Sequence, residues 1–431
     1  MNDPIPFFDG KMYHLFFQHN PAGAYWDDMH WGHAVSADLV QWEQKPIALT
    51  PTPEGSDRGG VWTGCVTQDG SGQVVALYTG IAAHKPFQQV HCLARAQDSE
   101  LKDWEKWDGN PITAPQPQGF GTCFRDPQVF EIGDGHRYML IGGEQIERRG
   151  GTAFLYRAQN DELTEWQFLH PLFLGDPATG HDFECPDFFP LQYELAAGKG
   201  IPLRLGGQGQ AWVLLTSREK TWWHAGQLSE DLRFVRTAFG PCDEGQFYAG
   251  KTLLDGQGRR LLFGWIRESR PRDAQVADGW SGALSLPRVV TLGRDGLPRF
   301  APAPELHTLR QRQIIAAHLQ TAAYSAPPLP DTSEVYIRFR PAEDAAPELK
   351  VTVEYGQEKR EYMVPKGDES PEGTVRFFFD RSVIEIFFND TRCHTERIYA
   401  EDGADAEIRL SVAAEAGNKP AEIEFVAWEL G

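Results

Sequence analysis

Three acidic residues beside prolines are the part of this sequence best suited to breaking a covalent bond. Asp3 and Asp126 each directly precede a proline, and Glu184 stands two residues before one. A proline pushes the residue before it into an extended conformation, which fixes the backbone of both aspartates at a strand edge. Three carboxyl groups gathered in one pocket suit glycosidic bond cleavage, in which one acid protonates the leaving oxygen. Each motif alone is also typical of an ordinary turn, so the spacing of the three motifs along the chain has to distinguish separate turns from one shared site.

An internal repeat supplies that spacing. The pattern L-x-x-W, with an acidic residue shortly before it, recurs with Trp42, Trp104 and Trp166 at intervals of 62 residues, and a weaker copy ends at Phe234. We expect each copy to anchor an outer strand or a corner. A period of this length fits one four-stranded propeller blade, so about 300 residues make roughly five blades. The three acids are separated by about two blade periods and one, which predicts that they meet at one mouth of the central channel.

Short apolar runs bounded by Gly, Asp, Asn or Pro are typical of strands and turns. In the first 300 residues they are Met12–Phe17, Val74–Tyr78, Tyr138–Ile141, Ala153–Tyr156, Trp212–Leu215 and Leu261–Trp265. Beyond residue 325, short segments alternate apolar and polar residues, which predicts a β-sandwich. The predicted fold is therefore all-β, with a five-bladed β-propeller over 1–300 and a C-terminal β-sandwich over 326–431. Between them we expect a linker over 301–325, with a possible short helix at Glu305–Gln313.

The amino-acid composition of the chain makes some classes of binding partner unfavourable. The chain has 61 acidic and 41 basic residues, a net charge of −20, which disfavours nucleic acid and anionic membrane surfaces as partners. The N-terminal stretch shows no basic leader followed by an apolar segment, and the six cysteines show no paired spacing, so we expect a cytoplasmic protein. His30 and His33 have a spacing seen in metal sites, but no acidic or thiol cluster completes one. No metal and no cofactor are predicted.

The acidic motifs resemble the signature motifs of glycoside hydrolase family 32, which includes invertases, inulinases, levanases and sucrose-6-phosphate hydrolases. Further stretches are similar in the expected order along nearly the whole chain. The resemblance implies a retaining hydrolase that releases fructose from sucrose or short fructo-oligosaccharides through a covalent fructosyl-enzyme intermediate. The matching stretches are 2–4 (NDP), 13–21 (YHLFFQHNP), 31–36 (WGHAVS), 62–64 (WTG), 124–127 (FRDP), 184–186 (ECP), 247–249 (FYA), 284–288 (LSLPR) and 380–387 (DRSVIEIF).

By this resemblance Asp3 is the nucleophile, Glu184 the general acid/base, and Asp126 the residue that stabilises the transition state. We expect the neighbouring carboxylate charges to raise the pKa of Glu184 and keep it protonated. For each tryptophan among the binding candidates, packing in the core is the alternative interpretation. The predicted substrate-binding residues are Asn2, Gln18, Trp26, Trp62, Thr63, Arg125, Tyr248 and Trp265.

The sequence departs from the family pattern after the first motif. Family members usually continue with Asn-Gly, whereas this chain continues with residues 5–8 (IPFF), which we expect at the pocket mouth. This departure leaves the identity of the small-molecule fructoside open. A phosphorylated sugar would need a basic pocket, for which Lys85, Arg148 and Arg149 are the candidates. A fructosyltransferase with the same acids and a non-catalytic carbohydrate-binding protein are the alternative functions, and the oligomeric state is open.

Overall fold

The chain folds into two compact units, both made mainly of strands. The computed structural model describes residues 1–84, 87–192, 210–341, 348–367, 370–399, 407–414 and 421–431. The first unit comprises residues 1–242 and 247–298, and the second comprises residues 243–246 and 299–431. Among the residues described, no helix is both long and apolar enough to cross a membrane.

In its described residues the first unit forms five antiparallel sheets, each built from consecutive strands. The described helices of this part are two 3₁₀ turns, Ile146–Arg148 and Pro177–Thr179, and α1 (Arg272–Asp278). In the fifth sheet the two-residue strand Ala283–Leu284 pairs with the end of the strand Arg260–Ile266. In chain order the strands are β1 (Asn2–Phe8), β2 (Tyr13–His19), β3 (His30–Ser36) and β4 (Glu43–Leu49); β5 (Val61–Gln68), β6 (Val74–His84), β7 (Phe87–Ala96) and β8 (Trp104–Lys106); β9 (Phe120–Glu131), β10 (Arg137–Gln145), β11 (Gly151–Ala158) and β12 (Trp166–Leu174); β13 (Glu184–Gln192), β14 (Gln210–Arg218), β15 (Lys220–Leu228) and β16 (Phe234–Pro241); and β17 (Phe247–Leu254), β18 (Arg260–Ile266), β19 (Ala283–Leu284), β20 (Arg288–Leu292) and β21 (Pro298–Pro302).

The first strands of the five sheets form a closed ring. β1 contacts β5, β5 contacts β9, β9 contacts β13, β13 contacts β17, and β17 contacts β1 again. Sheets that radiate from such a ring are the blades of a propeller, and their first strands line the central channel. The predicted five-bladed β-propeller is confirmed.

The second strand of each sheet is the one that the apolar runs identified. Five of the six runs coincide with β2, β6, β10, β14 and β18, and the sixth coincides with β11. A second strand is covered on both faces by neighbouring sheets; Met139, Leu140 and Ile141 of β10 are fully buried. A strand buried on both faces carries a continuous apolar sequence instead of an alternating one, because neither face meets water.

The L-x-x-W repeat forms the corner between the third and fourth strands of a sheet. The leucine is buried in the three copies that end in tryptophan and partly buried in the weaker fourth copy, and in all four it lies in the left-handed region, with φ between 55° and 67°. The indole nitrogen of the tryptophan donates to the carbonyl of its own leucine, at 3.1 Å for Trp42, 2.9 Å for Trp104 and 2.8 Å for Trp166. The tryptophans thus anchor corners, as the sequence predicts.

The second unit is the β-sandwich. A 3₁₀ turn, Pro304–Leu309, precedes its strands. The strands are β22 (Arg310–Thr321), β23 (Ala323–Ser325), β24 (Thr332–Arg340), β25 (Glu348–Tyr355), β26 (Glu358–Pro365), β27 (Gly373–Asp380), β28 (Val383–Phe388), β29 (Arg392–Arg397), β30 (Ile408–Ala414) and β31 (Ala421–Leu430). One sheet has the strand order β22-β31-β24-β27-β28-β29 and the other has the order β23-β30-β25-β26, and buried residues of both sheets form one core.

The stretch predicted as a linker over 301–325 contains a twelve-residue strand of the sandwich. β22 pairs with β31 along most of its length, and only the 3₁₀ turn before it is helical. The helix at Glu305–Gln313 was predicted from the good helix formers there. Pairing with β31 outweighs that local preference, because helix propensity is worth only a few tenths of a kcal/mol per residue.

Candidate active site

A β-bulge interrupts the innermost strand of every propeller sheet. The register between first and second strand shifts near the start of β1, β5, β13 and β17 and inside β9. Four of these bulges contain a non-glycine residue at positive φ: Asp3 at 25°, Asp126 at 64°, Cys185 at 49° and Ala249 at 52°. A bulge redirects the side chains beside it, and strained backbone of this kind collects at functional sites. Here the bulges aim Asp3, Asp126 and Glu184 at the same end of the channel.

Asp3 is held by two side chains from neighbouring strands. Thr63 Oγ1 donates to Asp3 Oδ2 at 2.6 Å, and Gln18 Nε2 donates to the same oxygen at 3.1 Å. Next to Thr63, Gly64 lets β5 approach β6 closely, since a Cβ there would lie 1.9 Å from the carbonyl oxygen of Leu77. Burial, followed by the charge of Asp126, raises the pKa of Asp3 to about 7.

Asp126 faces Asp3 across the thiol of Cys185. The Cys185 sulfur lies 3.7 Å from Asp3 Oδ2 and 3.6 Å from Asp126 Oδ2, and its backbone N–H donates to Asp126 Oδ2 at 2.8 Å. The backbone N–H of Asp126 donates to Thr79 Oγ1 at 2.8 Å. Burial raises the pKa of Asp126, against the opposing effects of the Arg125 charge and the Cys185 hydrogen bond.

Glu184 directly precedes Cys185, so all three acids converge on one point. Its two oxygens have separate partners: Arg125 Nη2 donates to Oε1, and the Tyr248 hydroxyl donates to Oε2. Arg218 Nη1 lies 3.5 Å from Oε1. Burial raises the pKa of Glu184, but the Arg125 charge, the hydrogen bonds from Tyr248 and Arg125, and the Arg218 charge together bring it below its ordinary value.

The expectation that charge repulsion keeps Glu184 protonated is therefore wrong. The acid with the strongly raised pKa is Asp3, where burial and the charge of Asp126 act together, whereas Glu184 lies against two guanidinium groups. A single proton in this cluster rests on Asp3 and leaves Glu184 ionised.

Several predicted binding residues carry a buried polar atom that no described residue satisfies. Among the described residues, no hydrogen bond is made by Asn2 Oδ1, Gln18 Oε1 or Trp265 Nε1, although all three atoms are buried. A buried polar atom without a partner costs free energy unless a ligand or water satisfies it. These atoms are thus suited to the hydroxyl groups of a sugar.

The tryptophans differ in exposure. Trp26 is 51% exposed and meets Trp62 edge to face, with 5.5 Å between the ring centroids. Core packing is therefore excluded for Trp26. Trp62 is partly buried, and the indole of Trp31 donates to its carbonyl at 2.9 Å. Trp265 packs edge to face on Tyr248, with 6.0 Å between the ring centroids.

Three residues of the site were missed by the sequence analysis. Arg218 and Asp182 form an ion pair, with Arg218 Nε 3.0 Å from Asp182 Oδ1, and Asp182 also pairs with Arg125 at 3.2 Å. Lys251 is 3% exposed and donates from Nζ to the carbonyl of Pro186 at 3.3 Å. A lysine inside an otherwise buried strand and an acid two residues before Glu184 were the available signals.

Two expectations about the pocket surroundings need correction or stay open. Residues 5–8 continue β1 away from the mouth, and Ile5 is a core residue that is 1% exposed, so this segment does not form the pocket mouth. Of the candidate phosphate ligands, Arg149 forms an exposed pair with Glu147 at 2.7 Å. Lys85 and the side chain of Arg148 lie outside the described residues.

The fold and the acid cluster define a glycoside hydrolase site, and comparison with known proteins gives the family. Residues 1–300 match the Glycosyl hydrolases family 32 N-terminal domain, and residues 339–429 match the Glycosyl hydrolases family 32 C terminal model. The chain belongs to glycoside hydrolase family 32.

The relatives include the β-fructofuranosidase insoluble isoenzyme CWINV3 of Arabidopsis thaliana, 36% identical over 73% of this chain and 55% of its own length. The chain thus spans about half the length of the curated relatives it matches. Among solved structures, fructan 1-exohydrolase IIa from Cichorium intybus in complex with 1-kestose superposes with a TM-score of 0.85 at 27% identity, over 100% of this chain and 95% of that one.

The predicted cytoplasmic location is contradicted by the relatives. They include insoluble isoenzymes from Arabidopsis thaliana and rice, and the vacuolar acid β-fructofuranosidase 1 of a Rosa hybrid cultivar, which is 33% identical over 67% of this chain. The prediction was based on the N-terminal stretch and the cysteine spacing, and the locations named for these relatives overturn it.

Proposed function

We propose that this protein is a retaining β-fructofuranosidase that hydrolyses neutral fructosides such as sucrose or short fructo-oligosaccharides. The observation that carries the proposal is the convergence of the acids: Asp3 and Asp126 each lie within 4 Å of the Cys185 sulfur, and Glu184 is the residue before it. The relatives named β-fructofuranosidase and the similar structure that binds 1-kestose support this substrate class. The acidic surface supports a small neutral partner over nucleic acid or membrane.

In the proposed reaction Asp3 attacks the anomeric carbon of the fructosyl group. The bond from that carbon to the leaving oxygen breaks as Glu184 gives its proton to this oxygen, and a fructosyl ester forms on Asp3. Glu184 then takes a proton from a water molecule, whose oxygen attacks the same carbon and releases Asp3. Asp126 accepts hydrogen bonds from ring hydroxyls, and these bonds strengthen as positive charge develops on the ring.

This reaction requires the proton on Glu184, whereas the raised pKa of Asp3 and the lowered pKa of Glu184 favour the proton on Asp3. Both arrangements contain one proton, so the active form exists over the pH interval in which the cluster is singly protonated. A bound sugar moves the balance toward the active form, because its leaving oxygen accepts a hydrogen bond only from a protonated Glu184.

The fructosyl group is proposed to bind the unsatisfied atoms of Asn2, Gln18 and Trp265, next to the Trp26–Trp62 pair. Aromatic faces cover the apolar face of a sugar ring, while the amide groups bind its hydroxyls. Thr63 and Tyr248 hold the acids in place through their hydrogen bonds to Asp3 and Glu184. Catalysis is proposed to belong to the domain predicted over residues 1–300.

Glu184→Gln tests the proposal, because glutamine keeps the shape of the side chain but cannot transfer a proton. We expect the turnover of sucrose to fall by roughly 10²–10⁴-fold with an unchanged circular dichroism spectrum. Product analysis of the wild type should give free fructose equal to free glucose. A shortfall of fructose would instead indicate transfer to a sugar, and a wild type without activity on any fructoside would favour a binding protein.

A further inference from the structure

Asp182 is a buried acid beside the site that takes no part in the proposed reaction. It lies in the connection between β12 and β13, two residues before Glu184, and is 5% exposed. Its carboxylate faces two guanidinium groups: Arg125 Nη2 lies 3.2 Å from Oδ2, and Arg218 Nε lies 3.0 Å from Oδ1. A buried carboxylate in this position affects the reaction only through the groups that it contacts.

Backbone contacts fix the segment that carries Asp182 against the third sheet. The N–H of Phe183 donates to the carbonyl of Gly143 at 2.9 Å, and Asp182 forms an isolated β-bridge with Glu144 of β10. Phe183 is fully buried, and a Cβ at Gly142 would lie 2.2 Å from its carbonyl oxygen, so glycine lets the two segments come this close. The backbone of Asp182 is therefore held where its side chain reaches both cations.

The same two cations also face the general acid. Arg125 Nη2 donates to Glu184 Oε1, and Arg218 Nη1 lies 3.5 Å from that oxygen. With both acids ionised, the four side chains form one cluster of two positive and two negative charges. Asp182 and Glu184 therefore compete for the same guanidinium groups, and the charge of Asp182 opposes the ionisation of Glu184.

We propose that Asp182 is a positioning residue for the general acid: it holds Arg125 and Arg218 partly to itself, and its charge keeps a proton available on Glu184 for the leaving oxygen. This inference rests on the proposed function, in which Glu184 donates that proton. Without Asp182, two guanidinium groups would act on Glu184 alone and hold it ionised. Fewer molecules would then carry the proton where the reaction needs it.

Other titratable groups face this pair of acids from the surrounding strands. The Tyr248 hydroxyl of β17 donates to Glu184 Oε2, and His181 Nε2 lies 3.3 Å from Asp182 Oδ1. Those that interact electrostatically with Glu184 are Asp3 on β1, Cys123 and Asp126 on β9, and Cys185 on β13. All of them are kept in the variants below, so a change at Glu184 reports the substituted residue.

Asp182→Asn and Arg218→Gln remove opposite charges beside Glu184, so they should act in opposite directions. Phenyl and 4-nitrophenyl β-fructofuranoside are the substrates, because phenol is a poor leaving group that needs a proton, whereas 4-nitrophenol departs without one. Neither leaving group carries sugar hydroxyls, so a lost contact to a sugar does not enter the ratio of the two kcat/KM values. Asp176→Asn is the matched control, since Asp176 lies in the same connection and pairs with Arg236.

We expect Asp182→Asn to lower the phenyl to 4-nitrophenyl ratio of kcat/KM roughly three- to tenfold, because a smaller fraction of Glu184 is protonated. Arg218→Gln should raise this ratio by a similar factor, and the double variant should return close to the wild type. Asp176→Asn should leave the ratio within about twofold. Equal losses on both substrates in Asp182→Asn would indicate a merely structural role and overturn the inference, as would shifts of the ratio in the same direction in both single variants.

A titration separates a failure of this inference from a failure of the proposed function. NMR of protein with isotope-labelled glutamate carboxyl carbons follows the protonation of Glu184 without turnover, and the spectrum of Glu184→Gln assigns its signal. The midpoint should move down by about one pH unit in Asp182→Asn and up by a similar amount in Arg218→Gln. These shifts support the role of Asp182 even if the wild type hydrolyses no fructoside. A midpoint that stays unchanged in either variant overturns it, whatever the activity of the wild type.

Discussion

The inner bulges and the outer corners of the propeller sheets use the same backbone device for opposite purposes. Both place non-glycine residues at positive φ, as in Asp126 at 64° inside and Leu39 at 67° outside. At the corner, Asp38 Oδ1 accepts the backbone N–H groups of Val40 and Gln41, and the indole of Trp42 satisfies the leucine carbonyl. The corner stores strain but leaves its hydrogen bonds complete, so it stabilises the sheet.

The inner bulges leave part of their polar groups unsatisfied. Asn2 Oδ1 and Gln18 Oε1 are buried without a partner among the described residues, and burial raises the pKa of both aspartates. Strain and unsatisfied groups that persist beside a cavity are typical of a site preorganised for a ligand. Substitutions should therefore separate the two regions: inner changes should affect activity, and corner changes should affect stability.

Asp3→Asn should have the largest effect and should act in opposite directions on activity and stability. Without the nucleophile we expect kcat on sucrose to fall by roughly 10⁴-fold. The folded pKa of Asp3, about 7, lies above its ordinary value of 3.8, so the native state binds more protons between these pH values. The free energy of unfolding of the wild type therefore falls as pH rises through this window. Asparagine does not titrate, so the variant does not lose this part of its stability.

Urea denaturation of the wild type and of Asp3→Asn at pH 4 and pH 7 measures this effect. We expect the variant to be more stable than the wild type at pH 7 by about 1–3 kcal/mol. At pH 4 the two proteins should be close in stability. Equal pH dependence in both proteins would contradict the raised pKa of Asp3.

Lys251→Met should have the next largest effect, although Lys251 touches no reacting atom in the proposed mechanism. Its ammonium group donates a hydrogen bond to the Pro186 carbonyl. The adjacent Thr252 donates to Asp187 Oδ2 from its backbone N–H at 2.6 Å and from its hydroxyl at 2.7 Å. These contacts connect the bulge of β17 to the bulge of β13. We expect kcat to fall by roughly 10–100-fold with little change in KM.

The loss of this buried cation also raises the pKa of Asp126, whose ionised form Lys251 favours. The acid limb of the kcat profile should therefore move to higher pH in Lys251→Met. Lys251→Arg keeps the charge and should restore the position of the limb. A purely structural role would lower the melting temperature of Lys251→Met without moving the limb.

The wild-type pH profile of kcat/KM tests the singly protonated cluster itself. We expect a bell with its alkaline limb near pH 7, where the cluster loses its last proton from Asp3. Its acid limb should lie where Asp126 takes up a second proton, above the ordinary aspartic acid value of 3.8, because burial raises the pKa of Asp126. Above the alkaline limb activity should fall about tenfold per pH unit. Full activity at pH 9 would exclude the assignment.

Trp166→Phe in an outer corner should have the smallest effect on activity. It removes the 2.8 Å hydrogen bond to Leu163 and should lower the free energy of unfolding by about 1 kcal/mol. Trp107→Phe is the control, since Trp107 is 37% exposed and lies outside the repeated corners. Both variants should keep kcat/KM on sucrose within about twofold. A large loss of activity in Trp166→Phe would break the distinction between the two regions.

The same comparison explains how much of the fold was predictable. The corners were visible in the sequence because each copy uses the same residues to solve the same local problem. The second strands were visible because burial on both faces requires an unbroken apolar run such as Tyr138–Ile141. β22 was missed because its partner β31 lies about a hundred residues away, and such pairing overrides local preference.

The three acids were predictable as residues but not as a geometry. Their prolines and blade spacing indicated a common mouth, while the bulges that aim them depend on register shifts that no local sequence pattern reports. The pKa order was missed for a related reason. It depends on Arg218, which is 34 positions from Glu184 in the chain and lies beside it only through the pairing of β13 with β14.

The central claim is that Asp3 forms a covalent bond to the fructosyl group while Glu184 handles the proton. Glu184→Gln mixed with an aryl β-fructofuranoside tests it most directly, since this leaving group departs without protonation. Mass spectrometry of the quenched protein should show one fructosyl group on the peptide that contains Asp3. Release of the aryl alcohol without any adduct on that peptide, or with the adduct on another residue, would contradict the account.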